Sequence, residues 1–146
     1  MPEGVEILLV DDDPDFVAGT RLVLEGAGYG VRVALGGQEG LDLARTKTPD
    51  LIILDIIMPG QDGFAVCEAL KDDPKLRHVP VMMLTSFAER MSGTSLALRQ
   101  GMMLEAEDYV DKPVRPAELL RRIEKLLQRL SQSSQGADPS GEEEKP

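Results

Sequence analysis

Apolar residues in this chain gather in short runs separated by stretches with helical spacing. Residues 5–10, 31–35, 51–55 (LIILD), 81–85 (VMMLT) and 108–110 (DYV) have strand length and turn residues beside them. Asp13 followed by Pro14 is a capping residue before a proline at the first helical position. It predicts a helix to about Ala27 with Phe16, Thr20, Val23, Leu24 and Ala27 inward. The GAGYG stretch at 26–30 closes that helix as a turn. It follows a helix instead of a strand and lacks the spacing of a dinucleotide-binding loop. Further helices are predicted over 37–47, from about Gly63 to Lys71, and in a region beginning near Phe87. A closing helix from Pro116 carries Leu119, Leu120, Ile123, Leu126, Leu127 and Leu130 on one stripe, with Arg121, Arg122, Lys125 and Arg129 away from it. Five strand–helix units with nearly continuous apolar strands predict an α/β fold, a parallel sheet covered on both faces.

One domain is expected over residues 1–130. The stretch SQSSQGADPSGEEEKP, 131–146, has no apolar residue larger than alanine and is expected to be a disordered tail, with no output module attached after it. The length of 146 residues and a hydrophobic content of 42% suit one domain with a real core. A net charge of -10 argues against a nucleic-acid backbone or an anionic membrane as partner. Cys67 is the only cysteine, which removes a disulfide framework and a cysteine-based zinc site. The start MPEGVEILLV lacks a basic stretch before its apolar run, and no apolar run approaches the roughly 20 residues of a membrane span, so a cytoplasmic location is expected.

In an open parallel sheet, ligands collect at the carboxyl ends of the strands. Those ends supply Asp11 and Asp12, then Asp55, then Thr85 and Ser86, and finally Lys112 before Pro113. Crowded carboxylates with no His or Cys among them suit a hard cation such as Mg2+. A metal beside a carboxylate, with an ammonium and a hydroxyl opposite, is equipment for phosphoryl transfer. Asp55, at the end of the more central strand, is the best nucleophile candidate, and Asp11 and Asp12 are the candidate metal ligands.

VDDD at the first strand, LDIIMPGQDG at 54–63, LTS at 84–86 and DKP at 111–113 resemble the motifs of a two-component response-regulator receiver domain, and the resemblance spans residues 5–130. It implies a flavodoxin-like, doubly wound five-stranded parallel sheet in the order 2-1-3-4-5 with five helices, as in the chemotaxis receiver. It further implies that Asp55 accepts a phosphoryl group from a phosphohistidine on a sensor histidine kinase or phosphotransfer protein. Asp11, Asp12, Asp55 and the backbone carbonyl of Ile57 would coordinate Mg2+, and Lys112 and Thr85 would contact the phosphoryl oxygens. The implied switch moves Thr85 toward the phosphoryl group and turns Tyr109 inward, reshaping the surface of the fourth helix, fifth strand and fifth helix for an unnamed downstream protein. Dimerisation on phosphorylation is one form that switch could take. Such a protein is a phosphoacceptor, not an enzyme acting on a separate substrate.

Between Thr85 and Lys112 lie 26 residues, more than the family usually has. Ala88, Met91, Ser95, Leu98 and Met102 share one helical face there, interrupted by Gly93 and Gly101, which fits extra core and loop or a partner surface. Asp13 suits a cap better than a ligand role, His78 a solvated loop, Cys67 the core, and Met58-Pro59-Gly60 a turn. A calcium loop is excluded because Phe16 and Leu22 stand where glycine and glutamate are needed. Two alternatives stay open: a receiver fold that acts as an interaction module without phosphorylation, and a haloacid-dehalogenase-type phosphatase reading Asp11 and Asp13 as its opening motif. Ile57 and Phe87, which flank the approach of water to the acyl phosphate in the family, are apolar here and predict slow self-dephosphorylation. The Ile57→Asn, Phe87→Glu double variant is expected to shorten the acyl-phosphate lifetime in a decay assay; an unchanged lifetime removes the basis for a long-lived signal.

Overall fold

The computed structural model describes residues 4–58, 61–86 and 106–136, with the backbone alone for 57, 58, 61, 62, 86 and 130–136. These residues fall into two units, Met1–Val114 and Arg115–Pro146. The first contains β1 (Glu6–Val10), α1 (Pro14–Gly26), β2 (Gly30–Ala34), α2 (Gly37–Thr46), β3 (Leu51–Asp55), the two-residue strands β4 (Ile57–Met58) and β5 (Gln61–Asp62), α3 (Gly63–Asp72), β6 (Val81–Ser86) and β7 (Asp108–Lys112). Its main sheet has the order β2-β1-β3-β6-β7, all parallel. Counted along that sheet alone, the order is the 2-1-3-4-5 expected. The expected helical region from Phe87, with the long stretch before Lys112, lies outside the described residues, as does the Pro59-Gly60 turn.

The sheet is the core. Ile7, Leu9 and Leu51 to Leu54 have no exposed surface, as continuous apolar strands covered on both faces require. Side chains alternate across the sheet, and Leu8, Val10, Ile52, Leu54, Val81 and Met83 join one cluster with Leu41 and Ala44 of α2 and Phe64, Val66, Cys67 and Leu70 of α3. The reversal of strand order between β1 and β3, with right-handed crossovers, puts α1 on the other face.

Local chemistry accounts for the element ends. Asp13 caps α1, its Oδ1 accepting from the backbone N–H of Asp15 at 3.0 Å and Phe16 at 3.3 Å, and Pro14 opens the helix. Gly28 sits at φ +101°, which an L side chain resists, and lets the chain reverse into β2. The inner face of α1 differs from expectation: Thr20 and Leu24 are buried as expected and Val17 joins them, while Phe16, Val23 and Ala27 are half-buried. Gly40 lets α2 approach the sheet, because a Cβ there would lie 2.8 Å from Val10 Cγ2. The hairpin of β4 and β5 was not predicted; two-residue strands are too short to show a period. Cys67 is buried and His78 exposed, as expected.

The second unit is described by its helix, α4 (Pro116–Gly136). It continues six residues into the stretch expected to be tail, and residues 137–146 lie outside the described set. Leu119, Ile123 and Leu126 of its apolar stripe are buried. On its polar side Glu118 meets Arg122 at 2.7 Å and Arg121 at 2.8 Å, and these guanidiniums, Arg122 first, hold the Glu118 carboxyl below the usual carboxylate range. No helix among the described residues is long and apolar enough to cross a membrane.

Candidate functional site

The carboxyl ends of β1, β3 and β7 bring their polar residues together within the first unit. Asp11 follows β1 directly, and its backbone N–H donates to Ala34 O at 3.1 Å, so the strand pairing fixes where its side chain begins. Asp55 is the last residue of β3, paired with Leu84 of β6, and Ile56 N donates to Leu84 O at 2.9 Å just beyond it. Both carboxylates are withdrawn from solvent, with 0% of Asp11 and 3% of Asp55 exposed. Asp12 is half-buried. Oxygens of Asp11, Asp12 and Asp55 all lie within 4.8 Å of one another.

Lys112, the last residue of β7, enters this group. Its Nζ lies 2.8 Å from Asp11 Oδ2 and 3.7 Å from Asp55 Oδ2. The same ammonium lies 4.5 Å from the centroid of the Phe16 ring. The peptide bond from Lys112 to Pro113 is cis. Asp11 Oδ1 accepts from Asp13 N at 3.0 Å, which orients the Asp11 carboxylate from behind. Thr85, the last but one residue of β6, lies one residue past the partner of Asp55; it is 3% exposed and its Cα pairs with Asp111.

The backbone around Asp55 is held from α3. Gly63 N donates to Ile56 O at 2.6 Å, and a Cβ on Gly63 would collide with Asp55 O and the Ile56 backbone. Only glycine allows the start of α3 to close so tightly on the end of β3. Ile57, the other expected metal ligand through its carbonyl, begins β4 two residues beyond Asp55.

Not every candidate joins the cluster. Tyr109 lies upstream on β7, beside Met83, half-buried against the hydrophobic core on the α3 side. Asp13 is engaged in the α1 cap and is not among the clustered carboxylates, which removes the second aspartate that the phosphatase alternative needs. Phe16 was expected only as an inner residue of α1. Its place over the Lys112 ammonium needs α1 and β7 to meet, a proximity that no local pattern in the sequence encodes.

The donor set suits a hard divalent cation: three carboxylates, all oxygen, two of them buried, facing one ammonium among the described residues. Buried like charges at this spacing repel strongly, and a divalent ion would offset them where one lysine does so only in part.

The model of the response regulator receiver domain matches residues 7–124. The chain belongs to this family. Receiver domains are phosphoacceptor signalling domains, and the acidic pocket is where they bind Mg2+. Among curated proteins, the receiver is 39% identical over 134 residues to the DNA-binding dual master transcriptional regulator RpaA of Synechocystis, covering 92% of this chain and 54% of that protein. It is 37% identical over 137 residues to the alkaline phosphatase synthesis transcriptional regulatory protein PhoP of Bacillus subtilis, covering 94% and 52%. The receiver thus spans about half the length of these relatives. A CheY-like receiver domain protein from Methanospirillum hungatei superimposes with a TM-score of 0.77 at 27% identity, covering 88% of this chain and 98% of that one. The receiver domain of a histidine kinase from Syntrophus aciditrophicus gives 0.77 at 32% identity, covering 86% and 91%.

An ion bound among these carboxylates stabilises the folded state only. Titration with Mg2+ is therefore expected to raise the unfolding free energy by about 1.4 kcal/mol per tenfold rise in concentration above the dissociation constant, measured by urea denaturation. Asp11→Asn with Asp12→Asn is expected to abolish that slope. An equal slope in the double variant would place the ion elsewhere.

Proposed function

We propose that the protein is a phosphorylation-activated signalling receiver, in which Asp55 accepts a phosphoryl group from a phosphohistidine of a sensor histidine kinase or phosphotransfer protein. The observation that carries this proposal is the meeting of Asp11, Asp12 and Asp55 around the Lys112 ammonium at the carboxyl edge of the sheet. Of the three carboxylates, Asp55 ends the most central strand and is held from both sides, by β6 and by the start of α3, which suits a nucleophile that must not move.

In the transfer, a carboxylate oxygen of Asp55 forms a bond to phosphorus as the donor's P–N bond breaks. The electron pair of that bond stays on the imidazole nitrogen, which takes up a proton, and an acyl phosphate remains on Asp55. Asp11, Asp12, Asp55 and the Ile57 carbonyl would hold Mg2+, and the ion when bound supplies positive charge to the phosphoryl oxygens. Lys112 brings its ammonium and Thr85 its hydroxyl to those oxygens. The place of Thr85 one residue past the partner of Asp55, and of Tyr109 half-buried on the neighbouring strand β7, supports their role as the two switching side chains.

The readout is then a protein surface that includes β7, offered to a downstream protein. The relatives RpaA and PhoP are named as transcriptional regulators about twice as long. The net charge of -10 supports a receiver that itself touches protein instead of nucleic acid.

Incubation with acetyl phosphate and Mg2+, followed by peptide mapping in a mass spectrometer, is expected to locate a phosphoryl group on Asp55. The group should be absent from Asp55→Asn and from protein treated with a chelator. Modification at another residue, or none at all, would overturn the proposal.

A further inference from the structure

Among the described residues, the Lys112 ammonium meets two carboxylates and an aromatic ring. The Asp11 carboxylate, 2.8 Å away, is a group that a bound cation would also use. The Asp55 carboxylate, 3.7 Å away, is the proposed acceptor. The third is the face of Phe16, with the ring centroid 4.5 Å from Nζ. An aromatic face attracts a cation through its quadrupole and offers no lone pair to a metal or hydrogen to a phosphoryl oxygen, so neither competes for it.

The two carboxylates alone would not set the ammonium where transfer needs it. Asp11 is the nearer and draws Nζ away from Asp55, and its pull falls once a divalent cation shares its charge. The ring is the neighbour whose attraction stays the same in both situations. It is also mounted rigidly: Phe16 stands in the first turn of α1, its own N–H bonded to the Asp13 cap at 3.3 Å, with Pro14 setting the helix entry. Phe16 lies beside the buried Val17–Thr20–Leu24 face and is only half-buried, so filling the core does not account for its place.

We propose that Phe16 is a positioning residue for phosphoryl transfer, its ring face holding the Lys112 ammonium within reach of the Asp55 carboxylate. The inference rests on the function proposed above.

The test compares the rate of Asp55 phosphorylation by phosphoramidate at saturating Mg2+ in the wild type, Phe16→Leu, Phe16→Met and Phe16→Tyr, each checked for folding by circular dichroism. Loss of the ring in Phe16→Leu is expected to slow the reaction about 2- to 30-fold, with a similar loss in Phe16→Met and recovery in Phe16→Tyr. In a Lys112→Ala background, the Phe16→Leu change is expected to have no further effect. A second readout needs no phosphodonor: the Lys112 ε-methylene proton resonances should show an upfield ring-current shift with Phe or Tyr at position 16 and lose it with Leu. A wild type that is phosphorylated at Asp55 but matched in rate by both Phe16→Leu and Phe16→Met would overturn this inference alone. So would an equal loss with and without Lys112. A wild type that takes no phosphoryl group would bring down the functional proposal and this one together.

Discussion

Repulsion among three carboxylates is the constraint around which this receiver is built. Asp11, Asp12 and Asp55 place oxygens within 4.8 Å of one another, two of the residues are buried, and Lys112 reaches Asp11 at 2.8 Å and Asp55 at 3.7 Å. A chain selected for stability alone would not put such charges together, because a buried charge needs compensation that a single ammonium supplies only in part. The conflict is confined to the carboxyl edge of the sheet, where the fold departs from local consistency and where chemistry is expected. Below that edge the central strands are apolar and buried over Ile7–Val10, Leu51–Leu54 and Val81–Leu84, and that burial offsets the repulsion above it.

The geometry around the carboxylates is fixed by backbone, not by side chains. The Asp11 N–H is tied to β2 through Ala34, the Ile56 N–H to β6 through Leu84, and the Ile56 carbonyl to the start of α3 through Gly63. Gly40 and Gly63 allow close approach, one under Val10 just before Asp11 and the other against the Asp55 carbonyl. What remains adjustable is the ammonium of Lys112, on a long flexible stem. Its aromatic neighbour on α1 thus acquires a meaning that a core residue would not have.

Much of this was legible in the sequence, for identifiable reasons. Four of the five strands of the main sheet, β1, β3, β6 and β7, run into aspartate, threonine or lysine, so strand, strand end and candidate site were visible in the same residues. Asp13–Pro14 announced its cap, and the cap also explains why Asp13 is not a ligand while Asp11 and Asp12 are placed to be. Three things were not legible. The hairpin of β4 and β5 is too short to carry a period. Val17 replaces Phe16 as the buried residue in the first turns of α1, because the ring is drawn to the site end of the helix. The helix α4 runs on to Gly136 through serines and glutamines, a stretch with no large apolar residue and so no stripe to signal continuation.

The most direct test is a crystal structure of the receiver grown with Mg2+. The account predicts one ion among Asp11, Asp12 and Asp55, in near-octahedral oxygen coordination at about 2.0–2.1 Å. Clear density for these three side chains without an ion between them, at a concentration that saturates binding in solution, would contradict it.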